Sequence, residues 1–131
     1  MGTSAIGSIL IVDDSAAWRT CVRKILENQP ELQIVAEACD GLQAVRRAAE
    51  SQPDLVLLDI GMPVLNGLDA AEQIQQISPR SKIVFLTQEN DPEIQSAALA
   101  AGAYGYVLKI SAQSKLLITI AAVLRVGHRT P

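Results

Sequence analysis

Asp59 closes the run Leu55-Val56-Leu57-Leu58 and is followed by Ile60-Gly61-Met62-Pro63. Consecutive apolar residues between Pro53-Asp54 and Gly61 read as a short strand buried on both faces, a central strand of a parallel sheet. A carboxylate at the end of such a strand is poorly explained by packing. Aspartate is rarely buried without a partner, and open parallel sheets bind ligands at the C-terminal ends of their strands. The bland alternative, a loop aspartate capping the next helix, is weakened because that helix has its own candidate cap in Asn66.

The same pattern recurs. Residues 9–12 (Ile-Leu-Ile-Val) run into Asp13-Asp14, residues 82–86 end at Thr87, and residues 104–108 end at Lys109. If these strands are neighbours, Asp13, Asp14 and Asp59 share one pocket. Three carboxylates there repel one another unless a cation sits among them. Oxygen ligands without histidine or thiolate suit a hard dication, Mg2+, which is usually completed by water and phosphate oxygens. Lys109 adds a mobile positive charge and Thr87 a hydroxyl. Together they would neutralise a phosphoryl group held on Asp59, the electrostatic arrangement of phosphoryl transfer.

The elements that must position these side chains can be read from periodicity and caps. From Ala17 a helix face is formed by Ala17, Trp18, Cys21, Val22, Ile25 and Leu26. Residues 32–36 are a strand. Asp40 and Gln43 are a capping pair for a helix to about Ser51. Asn66 opens a third helix with Leu68, Ala71, Ile74 and Ile77 inward, ended by Ser78-Pro79. Asp91-Pro92-Glu93 opens a fourth, closed by Gly102, with Ile94, Ala97, Ala98 and Ala101 on one face. A last helix, capped by Ser111, runs from about Ala112 to Val126. Five strands alternating with five helices predict an α/β fold, a doubly wound five-stranded parallel sheet in the flavodoxin-like order 2-1-3-4-5.

Length and composition set bounds. The 131 residues, 49% of them hydrophobic, suffice for one core and leave no room for a second domain. A net charge of -3 with no basic run gives no electrostatic footprint for nucleic acid on this domain itself. Cys21 and Cys39 lie in no metal or redox spacing and read as reduced, packed thiols. No signal segment and no membrane-spanning run is present, which predicts a cytoplasmic protein with no membrane partner.

The acidic pair Asp13-Asp14, the segment Asp59-Ile60-Gly61-Met62-Pro63 with Gly67, Thr87, the Ala101-Gly102-Ala103 turn before Tyr106, and Lys109 together resemble the receiver domain of bacterial two-component response regulators. The resemblance covers about 8–126. It leaves 1–7 as a disordered tail and 127–131 as a tail or the start of a linker to an absent output domain. It implies that Asp59 takes a phosphoryl group from a phosphohistidine of a sensor histidine kinase. It further implies that Asp14, Asp59 and the Gly61 carbonyl hold Mg2+ with Asp13 acting largely through water, and that the domain catalyses its own phosphoryl transfer and dephosphorylation. Thr87 and Tyr106 would form the switch that alters the surface of the last strands and helices. Glu31-Leu32, Asp40-Gly41 and Ala103-Tyr104-Gly105-Tyr106 look most like the subfamily whose receiver precedes a helix-turn-helix domain, so the output is expected to be transcription. Gln88, where the family usually has a small residue, is expected to cover the acceptor in part. Ile110 stands where many members have proline.

Rival readings fit less well. A phosphatase of the haloacid dehalogenase type needs a second acid where Gly61 stands, and an FMN carrier needs a phosphate-binding loop where Asp13-Asp14 would repel phosphate. A degenerate receiver lacks support because the chemically required side chains are present. His128 reads as a solvated tail residue and Trp18 as core. The last helix carries apolar residues beyond its core stripe of Leu116, Leu117, Ile120, Val123 and Leu124, namely Ile118, Ala121, Ala122 and Val126. Such surplus predicts an interface, with a homodimer through this C-terminal helix as the first candidate.

Overall fold

A computed structural model describes residues 7–128 of the chain, with side chains as far as Arg125. Of the tails expected at 1–7 and 127–131, residues 1–6 and 129–131 lie outside the described residues, as do the side chains of Val126 and His128. Strands β1 (Gly7–Val12), β2 (Leu32–Ala38), β3 (Leu55–Leu58), β4 (Lys82–Thr87) and β5 (Gly105–Leu108) alternate with helices α1 (Ala16–Leu26), α2 (Gly41–Ser51), α3 (Gly67–Ile77), α4 (Pro92–Ala100) and α5 (Ala112–His128). The strands form one sheet in the order β2-β1-β3-β4-β5, every neighbouring pair parallel. This is the expected order, and it makes β3 the central strand.

Alternation along the strands assigns side chains to two cores. Leu10, Val12, Val56, Leu58, Ile83 and Phe85 face α2, α3 and α4. Ile9, Ile11, Leu55, Leu57, Val84 and Leu86 face α1 and α5. The period of two leaves no strand residue of β3 free for solvent, which is why its sequence reads as an unbroken apolar run. Between Ile9 and Leu10 the pairing with β2 slips by one residue, so that Val35 of the edge strand is passed over.

The helix starts follow their caps. Ser15 Oγ accepts from the Trp18 amide at 3.2 Å, Asn66 Oδ1 from the Asp69 amide at 2.9 Å and Asp91 Oδ1 from the Glu93 amide at 2.9 Å. Asp40 Oδ1 accepts from the Gln43 amide at 2.7 Å, and the Gln43 side chain returns to the Cys39 amide at 3.0 Å, one residue before the cap.

Several expectations shift. β1 begins at Gly7 rather than at Ile9, β2 continues to Ala38, and α5 continues to His128. Ser111, expected to cap α5, lies inside a 3-10 turn over Lys109–Ser111 that leads straight into it. In α3 the buried stripe is Gly67, Ala70, Ala71 and Ile74, while Ile77 is exposed. Positions 67, 70, 71 and 74 centre the inward face between them, and at about 100° per residue Ile77 falls at its margin. In α1 Ala17 is exposed, and in α4 only Ala98 is buried, Ala97 and Ala101 being exposed. Alanine is too weakly apolar to fix which face of a helix turns inward. In α5 Leu116, Ile120, Val123 and Leu124 are buried as expected, whereas Ile118 is 70% exposed and Ala121 and Ala122 are exposed beside it.

Candidate acidic site at the C-terminal edge of the sheet

Asp13 and Asp59 each follow directly on the last residue of a neighbouring strand, and Val12 pairs with Leu58 in the register of β1 and β3. The Asp59 amide donates to the Val12 carbonyl at 3.1 Å, which extends the ladder by one bond and locks the two acids side by side. Carboxylate oxygens of Asp13, Asp14 and Asp59 lie within 4.8 Å of one another. Asp13 and Asp59 are buried and Asp14 is exposed. The pocket is therefore closed below and open to water on the Asp14 side.

The two buried acids are oriented by backbone donors. Asp13 Oδ1 accepts from the Ser15 amide at 2.9 Å, and Asp59 Oδ1 accepts from the Ile60 amide at 2.7 Å. Arg19 holds the loop from behind, donating from Nη1 to the Asp13 carbonyl at 2.7 Å while its Nε lies 3.2 Å from Glu37 Oε1. Glu37 also accepts from Arg23. Neither Arg19 nor Glu37 was expected from the sequence. No local pattern marks them, because the contact joins α1 to the end of β2.

Lys109 occupies the centre. Its Nζ lies 2.8 Å from Asp13 Oδ2 and 3.2 Å from Asp59 Oδ2. Burial pulls the Lys109 ammonium down, but the hydrogen bond to Asp13 and the negative charges of Asp59 and Asp13 outweigh it, and its pKa lies above the ordinary lysine value. For Asp13 the balance falls the other way. Burial pushes its carboxyl above the ordinary value, and the bonds from Lys109 and the Ser15 amide only partly reverse this. The same contact thus leaves the lysine more firmly charged and the buried aspartate short of full compensation.

Thr87 is buried at the end of β4, and its hydroxyl accepts from the Glu89 amide at 3.2 Å. Tyr106 of β5 donates from its hydroxyl to the Glu89 carbonyl at 2.6 Å, with its ring 6.1 Å from that of Phe85. Thr87 and Tyr106 thus grip the same loop residue from its two backbone ends. Gln88 is exposed and lines a recess of about 260 Å³ with Asn90, Leu108 and Ile110, the last 91% exposed. Gly61 is exposed, and a Cβ built there meets nothing within 4 Å.

Trp18, read from the sequence as core, does pack against the α1 and α5 core, but it also reaches the site, where its ring centroid lies 4.9 Å from Lys109 Nζ. Its place four residues after Asp14, about one helical turn on and in the first turn of α1 after the Ser15 cap, already puts it near the acidic pair in the sequence. The donor set fits a hard dication. All three acids supply oxygen, one is open to water, and among the described residues no histidine or thiolate joins the cluster.

The sequence matches the family described as response regulator receiver domain over residues 9–121. It is 38% identical over 116 residues to the oxygen regulatory protein NreC of Staphylococcus epidermidis, covering 88% of this chain and 53% of that protein. A protein-glutamate methylesterase/protein-glutamine glutaminase of Caldanaerobacter subterraneus is 37% identical over 102 residues, 77% of this chain and 28% of its own length. A two-component response regulator of the LuxR family from an Aurantimonas species, known as a crystal structure, matches with a TM-score of 0.87 at 32% identity, over 95% of this chain and 87% of that one. The chain thus spans about half or less of the length of these two sequence relatives. Among the described residues no helix is long and apolar enough to cross a membrane.

Proposed function

The chain belongs to the response regulator receiver domain family, and we propose on that footing that Asp59 accepts a phosphoryl group from a phosphohistidine of a sensor histidine kinase. A carboxylate oxygen of Asp59 forms the new O–P bond as the N–P bond to the imidazole breaks, and the histidine leaves with the electron pair. The observation that carries this reading is the bridging of buried Asp13 and Asp59 by Lys109 at 2.8 and 3.2 Å, in a pocket whose remaining side is the exposed Asp14.

Asp14, Asp59 and the Gly61 carbonyl would hold Mg2+, with Asp13 acting largely through water, and the bound ion would supply charge neutralisation for the phosphoryl oxygens. Lys109 already stands beside the acceptor oxygen and pairs with the incoming negative charge. The Thr87 hydroxyl can leave the Glu89 amide to donate to a phosphoryl oxygen. That releases one of the two grips on Glu89 and changes what Tyr106 can bind, which is how the surface around β4, α4, β5 and α5 would respond. Hydrolysis by water would return Asp59 to the free carboxylate.

The output itself would lie outside this domain. The likeness to an oxygen regulatory protein and to a LuxR-family regulator supports transcription, whereas the methylesterase relative makes an enzyme the second reading. The exposed Ile118, Ala121 and Ala122 of α5 support self-association through that helix.

Incubation with acetyl phosphate and Mg2+, followed by hydroxylamine trapping and mass spectrometry, tests the acceptor. A single hydroxamate at Asp59, formed as hydroxylamine displaces the phosphoryl group as inorganic phosphate and absent from Asp59→Asn, is the expected result. Modification elsewhere in the wild type would overturn the assignment.

A further inference from the structure

Lys109 Nζ has an aromatic neighbour in addition to its two carboxylates, the ring of Trp18 at 4.9 Å. The contact is built from several elements. Ser15 fixes the first turn of α1 by accepting from the Trp18 amide, the apolar residues of α1 and α5 support the indole, and the 3-10 turn after β5 delivers the lysine. Lysine carries a flexible four-carbon stem and a compact, strongly hydrated charge, so holding its ammonium at one point requires neighbours on more than one side. The two carboxylates attract it from the floor of the pocket. An aromatic face attracts it as well and, unlike an aliphatic group, does so without excluding its charge from favourable contact.

The confinement matters because a charge that stabilises phosphoryl transfer acts through being in place beforehand. We propose that Trp18 is a positioning residue for phosphoryl transfer, its ring confining the Lys109 ammonium beside Asp59. The proposal rests on the reading of Asp59 as the phosphoacceptor. The competing account makes Trp18 a packing residue whose π face is irrelevant, and the two accounts separate on substitutions that both reduce the side chain but differ in aromaticity.

The wild type, Trp18→Phe and Trp18→Leu are compared for the rate of acyl-phosphate formation from acetyl phosphate at saturating Mg2+, read by intact mass. Phenylalanine retains a π face and should stay within about twofold of the wild type. Leucine should slow the reaction about fivefold, the rate equivalent of a contact of this kind. A wild-type rate in Trp18→Leu, or an equal loss in both variants, overturns the proposal in favour of packing. A second measurement needs neither metal nor donor. Trp18 is the only tryptophan, and its emission should change in Lys109→Met but not in Lys115→Met, which alters an exposed lysine of α5. Identical spectra for wild type and Lys109→Met overturn the contact itself. Should the wild type form no acyl phosphate, the phosphoacceptor reading fails, and the spectra still decide whether the ring and the ammonium meet.

Discussion

Gly67 is pressed against the carbonyl of Asp59, and a Cβ built on the glycine would lie 2.0 Å from that oxygen. The first residue of α3 thus forms the wall behind the acceptor, and the Gly67 amide donates to the Ile60 carbonyl at 2.8 Å. The Cβ position is set by the backbone and the atoms it meets are backbone, so the clash cannot be relieved by a rotamer change. Gly67→Ala should lower the unfolding free energy by about 2 kcal/mol or more and slow acyl-phosphate formation. Gly61→Ala, where a Cβ meets nothing within 4 Å, should change stability by less than about 0.5 kcal/mol. Denaturant unfolding of the two variants checks the pair, and equal effects would contradict the geometry.

Val64 adopts a φ of 70° and is 75% exposed. A β-branched residue in the left-handed region costs about 1–2 kcal/mol, and solvent gives nothing back through packing. Asparagine tolerates that conformation better. Val64→Asn should therefore raise the melting temperature by a few degrees, measured by calorimetry, and an unchanged or lower value would show that the valine is compensated by contacts of its loop.

Burial pushes the Tyr106 phenol above its ordinary value of 10.0, and the charges of Glu89, Asp59 and Asp91 push the same way. The folded chain therefore keeps this proton to higher pH than the unfolded chain. Stability from Tyr106 is fully present below pH 10 and is lost as the pH climbs through the raised native value. Tyr106→Phe removes the 2.6 Å bond to the Glu89 carbonyl, so it should be less stable than the wild type at pH 8, by about 1 kcal/mol. That gap should shrink above pH 10. Urea midpoints at the two pH values test this, and a gap that stays constant would mean the hydroxyl does not titrate in the window.

Ile118 projects from α5 with 70% of its surface exposed, flanked by exposed Ala121 and Ala122. If this face joins two copies, Ile118→Glu should convert a concentration-dependent dimer to a monomer in light scattering, with the phosphoryl mimic beryllofluoride favouring the dimer in the wild type. A wild type that stays monomeric in both states at high concentration removes the homodimer and leaves only docking of a different partner.

Much of this protein is legible in its amino-acid order. The unbroken run Leu55-Val56-Leu57-Leu58 specifies a strand covered on both faces, and the alternation of strand and helix then dictates parallel pairing. Acids and a lysine at the strand ends follow from that layout, since a parallel sheet brings those ends to one edge. The caps Ser15, Asp40, Asn66 and Asp91 are local devices, each satisfied within a few residues, and they were readable for that reason. Alanine-rich faces were not. The burial of Ala70 over Ile77 and the exposure of Ala97 depend on which face a helix turns to the sheet, which is a property of both surfaces at once. The contact of Trp18 with Lys109, the hold of Arg19 on the Asp13 carbonyl and the double grip on Glu89 join residues from separate elements. No periodicity encodes them. Residue order determined which side chains reach the edge of the sheet, and only tertiary packing decided which neighbours hold them there.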